Sequence, residues 1–219
     1  LQLERFEESL ALADGLAVRF KESPLADSFC YSSAYCRFAL GRHQEAIALC
    51  RKVIDATEDD SVGLSDDEDN ETRKLNRQRA IYILGQIYQS LGRFPESVAQ
   101  YRRVEKEIAE ASWAVAYLTR EKLELPLTTA IKPGEKAVVQ LDSQNVDEVE
   151  IAVYRIDPMK LYLTSLGAES LGEVNLSGIA PIHQETFSLR DADCDDYRPI
   201  STSLELPLAE EGAYLVVGR

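Results

Sequence analysis

Ala39-Leu40-Gly41-Arg42-His43-Gln44-Glu45-Ala46 and Ser90-Leu91-Gly92-Arg93-Phe94-Pro95-Glu96-Ser97 are one motif written twice. Each copy falls between two stretches in which apolar residues recur at helical spacing. A glycine directly after such a stretch is a stop signal, because the left-handed residue that closes a helix costs least when it has no Cβ. Pro95 suits the first turn of a new helix, where its missing N–H is not needed. The reading is helix, tight turn, helix, in two copies. Working outward, the first half gives five helices. The first covers residues 1–22, with Leu3, Phe6, Leu10, Ala13 and Ala17 on one face, and Ser23-Pro24 breaks it. The others cover 27–40, 43–56, 71–91 and 95 to about 123, the last with an interruption left open near Ser112. Residues 57–70 hold Glu58-Asp59-Asp60 and Asp66-Asp67-Glu68-Asp69, so a solvated, mobile acidic insert is expected there.

The repeat has a recognisable form. In the second copy Leu84, Gly85 and Tyr88 precede the turn, and Gly92, Ser97 and Tyr101 follow in it and after it. Small residues let the two helices approach, and the aromatics fill the space beside them. On these positions the chain resembles tetratricopeptide repeats over roughly residues 27–110. The first copy is weaker, with Ser33 and Ala34 replacing the Leu-Gly pair and Cys50 standing where Tyr101 stands. The two turn glycines lie further apart than the usual period of about 34 residues, and the acidic insert accounts for the excess.

After Pro126 the pattern changes to short alternating runs punctuated by turn residues. Seven strands are expected, at residues 127–131, 136–141, 149–157, 160–164, 183–189, 203–206 and 213–217. Lys132-Pro133-Gly134-Glu135 makes a turn between the first two. Seven short strands in so few residues predict an antiparallel sandwich of immunoglobulin or fibronectin type. The expected fold class is therefore α+β in two domains: a helical array over 1–125 with the insert at 57–70, and a β-sandwich over 126–219. Three stretches of the second half carry a further resemblance: Pro133-Gly134-Glu135 with Val138-Val139-Gln140-Leu141, the run from Val149 to Asp157, and Leu206-Pro207-Leu208 with Gly212-Ala213-Tyr214-Leu215-Val216-Val217. Together these are similar to the macroglobulin-like sandwich of bacterial alpha-2-macroglobulin-family proteins. The resemblance implies protease trapping by a larger parent outside the cytoplasm. That family's bait region and its reactive Cys-Gly-Glu-Gln segment are not in this sequence, so no trapping chemistry is assigned to it.

Charge narrows the partners. The formal net charge is -14, from 38 acidic and 24 basic side chains. Nucleic-acid binding needs Lys and Arg to neutralise phosphates, and anionic membrane surfaces repel such a chain. No apolar run reaches bilayer length. The chain opens at Leu1 inside a helical pattern and stops at Arg219 after an apolar run, and so reads as a piece of a longer polypeptide.

Catalytic constellations are not legible. There is no phosphate-cradling glycine loop and no nucleophile elbow. His43 and His183, the two histidines, have no nucleophile at informative spacing. The best metal candidate is the alternating carboxylates Asp191, Asp193 and Asp195, which could offer oxygen ligands to calcium. Asp196 stands where an EF-hand needs glycine, and Thr202 where it needs a bidentate glutamate. No cofactor is called for. Cys30, Cys36 and Cys50 sit among apolar neighbours and read as small buried hydrophobes, with a bridge from Cys30 or Cys36 to Cys50 left open. Trp113, the only Trp, is expected to join the helical half to the sandwich or to lie in the core.

The firmer signal is a binding face. A helical-repeat array leaves a concave groove lined by the first helix of each pair. Carrying the tetratricopeptide groove positions over by residue gives Tyr31, Tyr35, Arg79, Tyr82, Gln86 and Gln89. Exposed tyrosine and arginine are favoured contact residues, although Tyr31 and Tyr35 also suit packing against the first helix. The Lys/Asn set that clamps a C-terminal carboxylate in some tetratricopeptide adaptors is missing. The expected function is a non-enzymatic interaction and structural segment of a larger alpha-2-macroglobulin-like protein, binding a protein or peptide. The alternatives are a free-standing adaptor and, below it, a calcium-dependent carbohydrate- or ligand-binding sandwich.

Overall fold

The computed structural model describes residues 2–23, 25–59, 68–132, 134–157, 159, 176, 178–190, 196–208 and 210–219. The chain divides into two compact units that separate between Thr119 and Arg120.

The helical unit contains α1 (Gln2–Arg19), α2 (Ala26–Ala39), α3 (His43–Asp59), α4 (Glu68–Ser90), α5 (Phe94–Arg102) and α6 (Ala109–Thr119). Each helix packs against its sequence neighbour, and α2 also packs against α4. The two repeat turns close in the same way. Gly41 and Gly92 hold φ of +74° and +72°. The Gly41 N–H donates to the Phe38 carbonyl and the Arg42 N–H to that of Arg37. Gly92 and Arg93 repeat the pattern on Gln89 and Tyr88. This is the Schellman closure, which pairs the last helical carbonyls and reverses the chain.

Between the helices of each pair the volumes trade off. In the second copy Gly85 faces Tyr101, and a Cβ on Gly85 would lie 2.7 Å from the ring. The Ser97 hydroxyl donates to the Gly85 carbonyl at 2.8 Å. In the first copy Ala34, Ala46 and Cys50 occupy the matching positions and are fully buried. The smaller Cys50 goes with an alanine where the larger Tyr101 goes with glycine, as close packing demands.

An ion-pair cluster ties α1 to the repeat. Arg37 on α2 donates from both terminal nitrogens to the two Asp14 oxygens of α1, each at 2.9 Å. Its Nε donates to Glu45 on α3 at 3.0 Å, and the buried Ser33 hydroxyl donates to Asp14. The Arg37 bonds hold the Asp14 carboxyl below the ordinary carboxylate range. A depressed carboxyl stabilises the fold above the unfolded-state pKa, and that stability is lost as pH falls through the folded-state value. Asp14→Asn is therefore expected to cost about 1–2 kcal/mol at neutral pH, discounted for the partial exposure of Asp14. The cost should shrink toward about pH 3. Urea unfolding of both proteins at the two pH values, followed by far-ultraviolet circular dichroism, checks this. A cost independent of pH would remove the ionic explanation.

Two helical expectations need correction. The stretch from residue 95 to about 123 is not one helix interrupted near Ser112. It is α5 and α6, separated by turns over residues 103–108. The expected acidic insert at 57–70 is narrower, because α3 runs on to Asp59 and α4 begins at Glu68.

The second unit holds β1 (Lys122–Glu124), β2 (Ala137–Gln144), β3 (Glu148–Ile156), β4 (His183–Ser188), β5 (Ile200–Leu206) and β6 (Ala213–Gly218). They form two antiparallel three-stranded sheets, ordered β1-β2-β5 and β4-β3-β6. Alternation decides which side faces in. Ala137, Val139 and Leu141 are buried, while Val138, Gln140 and Asp142 between them are exposed. One core collects Leu141, Leu204 and Leu206 from the first sheet with Val149, Ile151 and Val153 from the second. A Cβ on Gly218 of β6 would lie 3.2 Å from Leu123 of β1, so the sheets meet closely there. The α+β layout with a C-terminal antiparallel sandwich is thus as expected.

One of the seven expected strands is not formed. Residues 127–131 form none, and Leu127 is 97% exposed. β2 already pairs on both sides, with β1 and with β5, which leaves no open edge of β2 for that segment. Residues 160–164 lie outside the described residues.

Candidate functional site

The binding face expected from the sequence belongs to α2 and α4, which pack side by side. Its six residues fall into three environments. Tyr31 on α2 is half-buried against the core. Burial raises its pKa, and the Arg79 guanidinium on α4 opposes that rise. Arg79 is exposed on α4, within electrostatic reach of Tyr31 on the neighbouring helix.

Tyr35 turns toward α1, where its ring meets Phe6 edge-on at 6.1 Å, and it stays 45% exposed. Tyr82 leans on Tyr101 of α5, with ring centroids 5.6 Å apart. Its pKa is raised by burial and by Glu110 on α6, and its bond to Gln86 opposes the rise. Gln89 accepts the Tyr101 hydroxyl at 2.9 Å. Tyr31 feels the charge of Arg79 across the two helices, while Tyr82 and Gln89 are engaged with the second repeat's own packing. One exposed aromatic pair lies on α6, outside the expected face. Trp113 of α6 is 69% exposed and stacks on Tyr117, with centroids 5.4 Å apart and planes at 20°. The i, i+4 spacing of the two aromatics was the available signal.

Nucleophilic chemistry finds little support in the helical unit. Cys30, Cys36 and Cys50 are free thiols. Burial pushes Cys50 up to about 12 and raises Cys36 as well, so both stay protonated and unreactive at neutral pH. His43 faces Phe38 at 6.1 Å. His183 on β4 lies 3.2 Å from Glu185. The calcium candidates Asp191, Asp193 and Asp195 lie outside the described residues. Among the described residues no group of three His, Cys, Asp or Glu side chains is placed to hold a metal ion, and no helix is long and apolar enough to cross a membrane.

Stacked helical pairs with shared turn chemistry, joined to an antiparallel sandwich, define the class: a helical-repeat interaction module with a β-rich companion. Tetratricopeptide-repeat models match residues 1–61 and residues 78–107. The helical unit carries tetratricopeptide repeats, and such repeats are protein-interaction modules that are generally non-catalytic. The first match takes in α1, which the sequence had set outside the repeats. Comparison with curated proteins and with solved structures gives no match.

Proposed function

We propose that the helical unit docks a peptide or short helix of a protein partner on the α2–α4 face. The observation that carries this is the packing of α2 against α4, which puts a half-buried aromatic, Tyr31, within electrostatic reach of an exposed guanidinium, Arg79, on the adjacent repeat helix. That combination supplies apolar contact area and a directional charge, the mix favoured at binding hot spots. The sandwich acts as a spacer without chemistry of its own. The whole serves as an interaction segment of a larger, extracytoplasmic polypeptide of alpha-2-macroglobulin type, and the strand motifs from Pro133 to Val217 support that setting.

Panning a displayed library of short random peptides against the chain tests the docking role. Enriched peptides should bind with Kd values of about 1–100 μM. Tyr31→Ala and Arg79→Ala should each weaken them by about tenfold, or about 1.4 kcal/mol. Enriched peptides indifferent to both substitutions would move the site elsewhere, and a library that yields none would remove the docking role. The larger setting has its own test in the coding sequence on either side. An export signal upstream and a Cys-Gly-Glu-Gln segment downstream are expected, and a nearby stop codon without an export signal would favour a free-standing adaptor.

A further inference from the structure

We infer that the free edge of β6 pairs antiparallel with β6 of a second copy of this chain, closing a two-fold dimer about Leu215. β6 belongs to the sandwich unit, so the inference does not rest on the docking reading of the helices.

Among the described residues four strands lie at sheet edges: β1, β5, β4 and β6. Unpaired backbone along an edge is a template for another strand, and folds blunt it with charge, proline or brevity. β1 has three residues, two of them the charged Lys122 and Glu124. β4 carries His183 and Glu185. β5 carries Glu205, held by Lys136 of the first sheet, and Pro207 follows it. β6 has no such guard. Ala213-Tyr214-Leu215-Val216-Val217-Gly218 holds neither charge nor proline, and among the described residues it pairs with β3 alone.

The ladder fixes which backbone groups point outward. Glu150 and Arg219 exchange both of their backbone bonds, at 2.9 and 3.0 Å. Such pairs alternate along an antiparallel ladder. Val217, Leu215 and Ala213 therefore turn N–H and C=O toward β3, and Gly218, Val216 and Tyr214 turn theirs to the open side. Side chains keep the same period. Tyr214 and Val216 pack against the sandwich core, so Ala213, Leu215, Val217 and Arg219 share the other face. A second β6 must bring outward groups against outward groups, and charge chooses among the registers that do so. With Tyr214 opposite the second copy's Val216, two-fold symmetry sets Leu215 opposite itself, Val217 opposite Ala213 and Arg219 opposite Glu211. Glu211 and Arg219 are exposed, and among the described residues neither side chain is in an ion pair. Glu210, next to Glu211, is taken by Arg155. Each end of the strand thus carries the charge that the other end needs. A slip by two residues either way takes Arg219 off Glu211. In the chosen register Leu215 meets its copy at a non-hydrogen-bonded position, where side chains approach most closely.

Sedimentation equilibrium of the full chain tests this. A monomer–dimer equilibrium is expected, with a Kd of about 10–100 μM, in the weak range of a small interface. The Tyr214 and Val216 amides should gain protection from hydrogen exchange as the dimer fills. Arg219→Glu and Glu211→Arg each turn two cross-strand attractions into repulsions, and each alone should weaken self-association about tenfold. Mixed in equal amounts, the two variants should dimerise about as tightly as the native chain, because every contact between them again sets Glu against Arg. Both positions are exposed, and circular dichroism should show both variants folded. A chain that stays monomeric to about 1 mM, or a dimer indifferent to the two substitutions, overturns the proposal. So do single variants that fail to pair when mixed. Growth beyond the dimer overturns the two-fold closure, which uses both β6 edges. A monomeric chain whose Val216 amide is protected only by an added extended peptide would give the edge to a partner strand, and that too overturns the dimer.

Discussion

Tyr101→Ala is expected to destabilise the helical unit by about 3–5 kcal/mol, a large share of the 5–15 kcal/mol typical of a whole domain. The ring is 1% exposed, lies against the bare Cα of Gly85, contacts Tyr82 and bonds Gln89 through its hydroxyl. Alanine leaves a cavity that the Gly85 backbone cannot fill. Urea unfolding followed by Trp113 fluorescence checks the value, because the probe lies in the helical unit itself. A loss under about 1 kcal/mol would mean that the ring is not the filler of the repeat. Two companions apportion the effect. Tyr101→Phe should cost only about 0.5–1.5 kcal/mol, the worth of one hydrogen bond. Gly85→Ala should also destabilise, because the ring blocks its methyl, and much of that cost should vanish beside Tyr101→Ala. Alkali gives an independent check. Burial raises Tyr101 from 10.0 to about 12, so the folded state disfavours the phenolate. That stability is present below the unfolded-state pKa and fades as pH rises from about 10 to about 12. Tyr101→Phe should flatten the loss.

What could be read from sequence, and what could not, follows from where the forces act. Gly85 and Tyr101 were legible as partners because local spacing fixes both. So were Gly41 and Gly92, whose positive φ is a local requirement. The break between α5 and α6 was not legible. Residues 103–108 read Arg-Val-Glu-Lys-Glu-Ile, with no glycine or proline, and Val104 is buried at the point where the chain turns. Tertiary packing there overrides propensity. The same holds for β1. Lys122, Leu123 and Glu124 are good helix formers, yet they extend because β2 offers Gln144, Ser143 and Asp142 as ladder partners. Residues 127–131 show the converse, a strand-like pattern without a partner strand. Of the expected groove residues, Tyr31 and Arg79 follow from repeat position alone, and they lie on the two helices that pack together. The turn of Tyr35 toward Phe6 on α1 depends on a contact distant in sequence. Trp113 was expected to join the helical half to the sandwich or to lie in the core, and at 69% exposure it is not in the core.

Leu141→Ala is the second large effect, at about 2–5 kcal/mol, and it tests the sandwich as Tyr101 tests the repeat. Leu141 is fully buried at the middle of β2, opposite Thr202 of β5, in the one core shared by both sheets. Val138, on the same strand, points the other way and is 39% exposed. Val138→Ala should cost under about 1 kcal/mol. The contrast matters more than either value, because a strand has a period of two and a slip by one residue would exchange the faces. A larger loss at Val138 than at Leu141 would therefore overturn the register itself. Hydrogen exchange at the β2 and β5 amides is the suitable readout, because the helices dominate circular dichroism. The spacer role proposed above requires a unit that keeps its shape, and in a sheet pair this small nearly all of the rigidity comes from that single core. Loss of Leu141 should accordingly raise exchange across both sheets together and not in the first alone. Confinement of the effect to β2 and β5 would mean two weakly coupled sheets, a poor spacer, and would count against the structural role proposed for this unit.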